Sequence, residues 1–205
     1  MHAKIRANAD VSGARDYGGR MARLPRTLAP GGTYHVTARG NRHQALFSDD
    51  YDRRLFLRIL GDTVARHRWR CGAYCLLLNH FHLLIHTPGP GDDLSAGMHR
   101  LNGRYAQWFN DRHELDGHLF QDRFHSTLIE RDGHLLEALR YIYRNPVTAG
   151  ACVAPADWIW SSYGATTGRA PAPAFLSSEI VLELFSADAR RARRHLAEFV
   201  AGSAR

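Results

Sequence analysis

The sequence has almost no lysine, no long apolar run and no cysteine pattern, and each lack excludes a class of protein. Lys4 is the single lysine among 27 basic residues. So skewed a use of arginine reflects genomic nucleotide composition as much as bidentate phosphate recognition. The longest apolar runs, such as Cys75 to Leu78 and Leu83 to Ile85, fall far short of the ~18 residues that a membrane span needs. The first ten residues carry positive charge but no apolar stretch of the kind a secretory signal requires, so the expected compartment is the cytoplasm. Cys71, Cys75 and Cys152 are odd in number and lack zinc-ribbon spacing, which excludes a disulfide framework. Cys71 and Cys75 lie in an apolar run and read as packing.

The 205 residues, 44% hydrophobic and 23% charged, suffice for one core and a small appendage. The net charge of +7 suggests a polyanionic partner until its distribution is considered. Residues 1–30 hold six basic against two acidic residues, and residues 186–205 hold five against two, so the two ends account for all of it. Bulk charge therefore supports nucleic acid only weakly. Residues 1–20 lack apolar periodicity and read as a disordered lead, with Met21 as a second possible start.

Thr33 to Arg39 alternates Tyr34, Val36 and Ala38 with polar residues, the pattern of a half-buried strand closed by Gly40-Asn41. Asp49 and Asp50 cap a helix to about His67, with Tyr51, Leu55, Phe56, Ile59, Leu60 and Val64 as its apolar stripe. Cys71 to Leu78 and His80 to Thr87 read as two strands of a hairpin, and Pro88-Gly89-Pro90-Gly91 breaks the chain after them. A second helix is expected from about Asp93 to Asp111, carrying Leu94, Met98, Leu101, Tyr105, Trp108 and Phe109. Leu119 to Leu128 reads as a fourth strand. Its alternation places Leu119, Gln121, Arg123, His125 and Thr127 on one face. Asp132-Gly133 opens a third helix expected to end near Asn145-Pro146. The order strand, helix, strand, strand, helix, strand predicts an α+β, ferredoxin-like antiparallel sheet with two helices on one face, followed by an additional helix. Beyond Tyr163, residues 180–185 and 187–200 offer one or two further helices in an extension spanning 151–205.

The chemistry-bearing pattern is His80-Phe81-His82. A strand's period of two puts His80, His82 and His86 on one face and Phe81, Leu83 and Ile85 on the other. Imidazoles one repeat apart, roughly 6.5 to 7 Å between Cα atoms, can converge on a divalent cation given a third ligand. The plainer alternative is surface histidines in a chain that has 13 of them; His86 reads as outside any site. On the third helix, ~100° per residue gathers Leu135, Leu139, Ile142 and Tyr143 in one sector and His134, Tyr141 and Asn145 in a polar stripe. Tyr143 thus reads as core and Tyr141 as the reactive candidate, against the alternatives of a partly exposed aromatic at 141 and a helix C-cap at 145.

The stretches Asn79-His80-Phe81-His82-Leu83-Leu84-Ile85, Gly117-His118-Leu119-Phe120-Gln121-Asp122-Arg123-Phe124, Tyr141-Ile142-Tyr143-Arg144-Asn145-Pro146-Val147 and Trp160-Ser161-Ser162-Tyr163 occur in this order. Together they closely resemble the single-tyrosine HUH transposases, specifically the REP-associated tyrosine transposases, over roughly Met21 to Tyr163. Asp122 departs from the glycine expected there. The resemblance implies a catalytic domain over 21–150, His80 and His82 as metal ligands, Asn145 as third ligand, and Tyr141 as nucleophile. It further implies a 5′-phosphotyrosyl intermediate with a free 3′-OH, a Mg²⁺ or Mn²⁺ cofactor, and single-stranded DNA with hairpin-forming repeats as partner, bound by a monomer or homodimer.

Elementary chemistry agrees with those roles. A phenol with an ordinary pKa of ≈ 10 is a weak nucleophile at neutral pH, so attack on a phosphodiester needs a phosphate polarised by a cation. Candidate DNA contacts are Arg39 and Arg42 in an Arg39-Gly40-Asn41-Arg42 loop, Gln121 and Arg123 on the fourth strand, and Arg144 beside the nucleophile. The Arg190-Arg191-Ala192-Arg193-Arg194 run could add phosphate contacts or be a solvated helix face. His134 is a candidate proton acceptor for Tyr141. The alternative function is a non-catalytic single-stranded DNA or structured-RNA binding module, which would present stacking aromatics where this chain has histidines. A hydrolase of small phosphates would need a carboxylate cluster that is missing.

Overall fold

The computed structural model describes residues 31–89 and 92–202; the lead expected over 1–20 lies outside them. Strand β1 (Thr33–Arg39) leads to helix α1 (Asp50–Arg66), β2 (Arg70–Leu76), β3 (His80–His86), α2 (Asp92–His113), β4 (His125–Ile129) and α3 (Asp132–Thr148). All strand pairs are antiparallel and the order across the sheet is β2-β3-β1-β4. That is the ferredoxin-like arrangement the pattern predicts.

One face of the sheet is apolar throughout. Val36, Phe81, Leu83 and Ile85 meet Phe56, Leu60, Met98 and Tyr105 of α1 and α2 in the main core, each large side chain contributing about 1.5 to 3 kcal/mol of burial. The expected α1 stripe holds except at Tyr51, which is 53% exposed and lies against Trp108, ring centroids 5.6 Å apart. Its position in the first turn carries it past the edge of the core.

The other face is divided. On its β2 and β3 side Ala73, Cys75, Leu77 and Leu84 are buried, and α3 packs on them through Leu135, Leu139, Ile142 and Tyr143. On its β1 and β4 side the residues are the polar His35, Thr37, Arg39, His125 and Thr127; α3 reaches only their border, where the Tyr141 ring stands 5.9 Å from that of His35. The additional helix therefore covers half of the second face, and its uncovered border is where the polar side chains converge.

Two boundaries differ from expectation. The fourth strand begins at His125, because Leu119 and Phe124 both turn into the main core, which strict alternation cannot achieve. Gln121 and Arg123 thus belong to the preceding loop, although the Gln121 amide still donates to the Arg39 carbonyl at 3.0 Å. Helix α3 runs through Pro146 to Thr148. Proline removes one intrahelical donor, but Asn145 and Pro146 are buried and the Ala149 amide closes the next turn on the Asn145 carbonyl at 2.8 Å.

Residues after α3 complete the second layer. Trp158 to Ser162 seal the free edge of β2: the Leu76 amide donates to the Trp160 carbonyl at 2.9 Å, the Ser162 amide to Tyr74 at 2.9 Å, and Trp158 Nε1 to Leu76 at 2.9 Å. Short helices α4 (Tyr163–Thr166) and α5 (Glu179–Leu182) follow. Helix α6 (Ala189–Ala201) buries Ala192, Leu196 and Val200 and leaves Arg190, Arg191, Arg193 and Arg194 exposed on the solvated side.

A buried carboxylate ties the start of α1 to the end of α2. Asp52 is fully buried and accepts from the Ser48 amide at 2.7 Å, from His113 Nε2 at 3.1 Å and from Arg112, which also holds Asp49 at 2.6 Å. Removing one partner of a buried ion pair strands the others. Asp52→Ala is expected to lower stability by about 2 to 4 kcal/mol, read as a lower urea midpoint, with Asp49 retaining part of the Arg112 interaction.

Candidate active site

Strand β3 delivers His80 and His82 to the divided face, opposite Arg39 and Thr37 of β1. Their rings are 5.0 Å apart and nearly perpendicular. Helix α3 brings the third and fourth candidates. Asn145 Oδ1 lies 3.2 Å from His80 Nε2, and the Tyr141 ring meets that of His82 edge to face at 5.3 Å. Residues from two elements 60 positions apart in sequence thus meet in one chain. Tyr141 is 54% exposed, whereas Tyr143 is buried, donates to Thr166 Oγ1 at 3.0 Å and is pushed up to about 12 by that burial. Tyr141 is the accessible phenol.

The hydrogen bonds around the two imidazoles bear on whether a cation fits. His82 is buried, with Nδ1 3.0 Å from Nε2 of His35 and the rings stacked at 5.2 Å. Its Nε2 is buried and has no hydrogen-bond partner among the described residues. An unpartnered buried ring nitrogen is costly unless something binds it. His80 Nδ1 faces Asn79 Oδ1 at 2.8 Å, and Asn79 Nδ2 donates to the His43 carbonyl at 3.2 Å. The Asn79 amide so oriented offers His80 Nδ1 an acceptor, and a proton placed there would leave Nε2 with a lone pair toward the Asn145 oxygen. His80 Nε2 and Asn145 Oδ1 are 3.2 Å apart and the His82 ring lies 5.0 Å from that of His80, and a donor set of two imidazoles and an amide oxygen suits a divalent cation.

Electrostatics keep these rings neutral. Burial lowers His82 well below the ordinary 6.5, with His35, His80 and Arg39 adding to the effect. It lowers His80 less, a shift partly offset by Asn145 and furthered by Arg39. His35 falls to about 4, first through desolvation and then through His125 and His134. Each histidine binds protons more weakly in the fold than in the unfolded chain, so stability rises with pH between about 4 and 6.5. Going from pH 7 to 4.5 is expected to cost the metal-free protein ~2 kcal/mol from His35 alone, measured by urea unfolding, and His35→Gln should flatten the dependence.

A groove of about 690 Å³ opens over this border, walled by His35, Arg39 and His125 from the sheet and by His134, Glu137 and Tyr141 from α3. Arg39 is exposed at its rim. Arg42 is exposed in a turn where it and His43 adopt positive φ of 51° and 62°; Gly40 is required there, since a Cβ would lie 2.1 Å from the Gln44 carbonyl oxygen. Gln121 and Arg123 are exposed in the loop beside Arg39. Arg144 is elsewhere engaged: its guanidinium donates to the Val200 carbonyl at 3.0 Å and to that of Ala201 at 3.4 Å. His86 bonds Thr33 Oγ1 at 3.1 Å at the far end of β3. Sequence reasoning gave Asn79, His35 and Glu137 no role at the metal-ligand cluster; the β1 alternation does set His35 with Thr37 and Arg39 on a polar face and Asn79 adjoins the His80-Phe81-His82 pattern, whereas nothing local marks Glu137.

This chain belongs to a family of transposases: residues 30–145 match the family described as Transposase IS200 like. It is 27% identical over 152 residues to a protein of Haemophilus influenzae named as a REP-associated tyrosine transposase, covering 70% of this chain and 86% of that one. Among solved structures, a REP-associated tyrosine transposase bound to a REP hairpin shares the fold, with a TM-score of 0.62, 22% identity, and coverage of 77% of this chain and 92% of that one. No helix among the described residues is long and apolar enough to cross a membrane.

Proposed function

We propose that this protein is a metal-dependent single-strand DNA endonuclease and strand transferase that uses Tyr141 as nucleophile at hairpin-forming repeats. The observation that carries this reading is the convergence, within one chain, of the orphaned His82 Nε2, the His80 Nε2 lone pair, Asn145 Oδ1 and the exposed Tyr141 ring. The structure shared with a hairpin-bound transposase supports the choice of substrate.

His80, His82 and Asn145 would hold a Mg²⁺ or Mn²⁺ ion, which when bound supplies Lewis-acid polarisation of the scissile phosphate. The Tyr141 oxygen attacks phosphorus and loses its proton, an O–P bond forms, and the bond from phosphorus to the 3′ oxygen breaks. The 3′ oxygen leaves as a hydroxyl after taking up a proton, and the 5′ phosphate stays on the enzyme. The diester count is conserved, so a second 3′-OH can reverse the step without ATP. Arg39 at the rim of the groove would contact the strand, as would the exposed Arg42, Gln121 and Arg123 of the neighbouring turn and loop. Arg144 would act there only by releasing the end of α6.

Incubating end-labelled hairpin DNA that carries a single-stranded flank with the protein and Mn²⁺ tests the reading. A covalent adduct on a denaturing gel, lost with EDTA and mapping to Tyr141, is the expected result. Binding without cleavage under these conditions would instead favour the non-catalytic module.

A further inference from the structure

We propose that Asn79 is a positioning residue that fixes the tautomer of His80 and anchors it to the strained 41–43 turn, so that the metal site is assembled before any ligand arrives. The inference rests on the reading of His80 as a metal ligand.

Asn79 occupies the tight connection between β2 and β3, where the Leu77 amide donates to the His80 carbonyl at 2.9 Å. Its side chain has two different ends and each has one use. Nδ2 donates to the His43 carbonyl, and Oδ1 lies 2.8 Å from His80 Nδ1, where a proton on Nδ1 would bond it. A carbonyl cannot donate, so the contact with His43 forbids the flipped amide. The fixed Oδ1 in turn demands a proton on Nδ1. Nε2 is left bare and directed at Asn145.

The other side of the linkage is the turn. Arg42 and His43 are consecutive non-glycine residues in the left-handed region, which L side chains disfavour, and such strain persists only where the surroundings enforce it. Asn79 and its neighbour enforce it three times. The Asn79 carbonyl accepts from the Gly40 amide at 2.8 Å, the Leu78 carbonyl accepts from Leu46 at 2.8 Å, and the Asn79 side chain holds His43. The segment that carries Arg42 and the ring that would bind the cation are thereby built on one residue. A hydrogen bond from the distal nitrogen to a carbonyl or carboxylate is the recurrent device for orienting metal-binding histidines. Here the carbonyl is an amide with its own second partner.

The test needs no DNA. In metal-free protein labelled with ¹⁵N-histidine, the His80 ring is expected to show a protonated Nδ1 and a bare Nε2. In Asn79→Ala it should move toward the Nε2-protonated form, and the Mn²⁺ dissociation constant from calorimetry should rise by about tenfold or more. Asn79→Asp keeps an acceptor for Nδ1 and loses the donor to His43; it should restore the tautomer and bring Mn²⁺ affinity to within about threefold of the parent. A wild-type His80 protonated on Nε2 overturns the inference without recourse to any variant. So does an Asn79→Ala protein whose tautomer and Mn²⁺ affinity are those of the wild type. His80→Ala separates the two readings: if it binds Mn²⁺ unchanged, the metal assignment itself fails, while the nitrogen signals still judge Asn79.

Discussion

Tyr141→Phe is expected to abolish the covalent protein–DNA adduct and to lower strand cleavage by on the order of 10⁴-fold, while leaving hairpin binding and Mn²⁺ affinity unchanged. The substitution removes one oxygen and keeps the ring that touches His82 at 5.3 Å and His35 at 5.9 Å. Because Tyr141 is more than half exposed, stability should move by no more than about 0.5 kcal/mol. The paired control is Tyr143→Phe. That hydroxyl bonds Thr166 in a buried site, so its loss should cost about 1 kcal/mol of stability and leave the adduct intact. Denaturing gels for the adduct and urea titrations for the fold separate the two phenols. An adduct that survives in Tyr141→Phe and disappears in Tyr143→Phe would reverse the assignment.

His82→Ala is expected to weaken Mn²⁺ binding by at least about a hundredfold, since merely disturbing a ligand's orientation typically costs 10- to 100-fold. Cleavage should fall in parallel. A further consequence is thermal. A ligand that binds only the folded state stabilises it, by ≈ 2.7 kcal/mol at a hundred times its dissociation constant, so Mn²⁺ should raise the unfolding temperature of the wild type and not of this variant. The metal-free variant need not be much less stable than its parent, because the change also removes a buried nitrogen that has no partner. If Mn²⁺ stabilises wild type and variant equally, the cation binds somewhere else.

Much of the architecture was legible in periodicity. The β1 bounds, the Asp49 cap, the β2–β3 hairpin and the two faces of α3 all follow from local spacing, and the structure repeats them. The failures share a cause: each was decided by what lies across the fold. Leu119 left the polar face expected of it because the core had room for it. Proline did not end α3 because burial outweighed one lost donor. Within the site, His80, His82, Tyr141 and Asn145 could be nominated from two motifs, and their placement together is consistent with that choice. The proximity itself could not be read, because it depends on which half of the sheet α3 covers. Alternation along a single strand does not show that Ala73, Cys75 and Leu77 make one half apolar while His35 and Thr37 make the other polar. Asn79 and Arg144 illustrate the same limit, since their partners, His43 and the end of α6, are 36 and 56 residues away.

The way the tail locks onto α3 bears on how such enzymes can be recombined. The stretch shared with the family, residues 30–145, breaks off inside that helix, yet Tyr163, Val181, Leu196 and Val200 from beyond it form a wall of the pocket that receives Leu139, Ile142 and Tyr143. Arg140 and Arg144, on either side of Tyr141, grip the last turn of α6 through the carbonyls of Phe199 and Val200. Tyr141, the proposed nucleophile, is thus carried by a lever whose back is owned by a different part of the chain. A chimera joining this catalytic half to a foreign ending would inherit the chemistry without the seat that aims it, so the two halves must travel together through evolution or be redesigned as one piece.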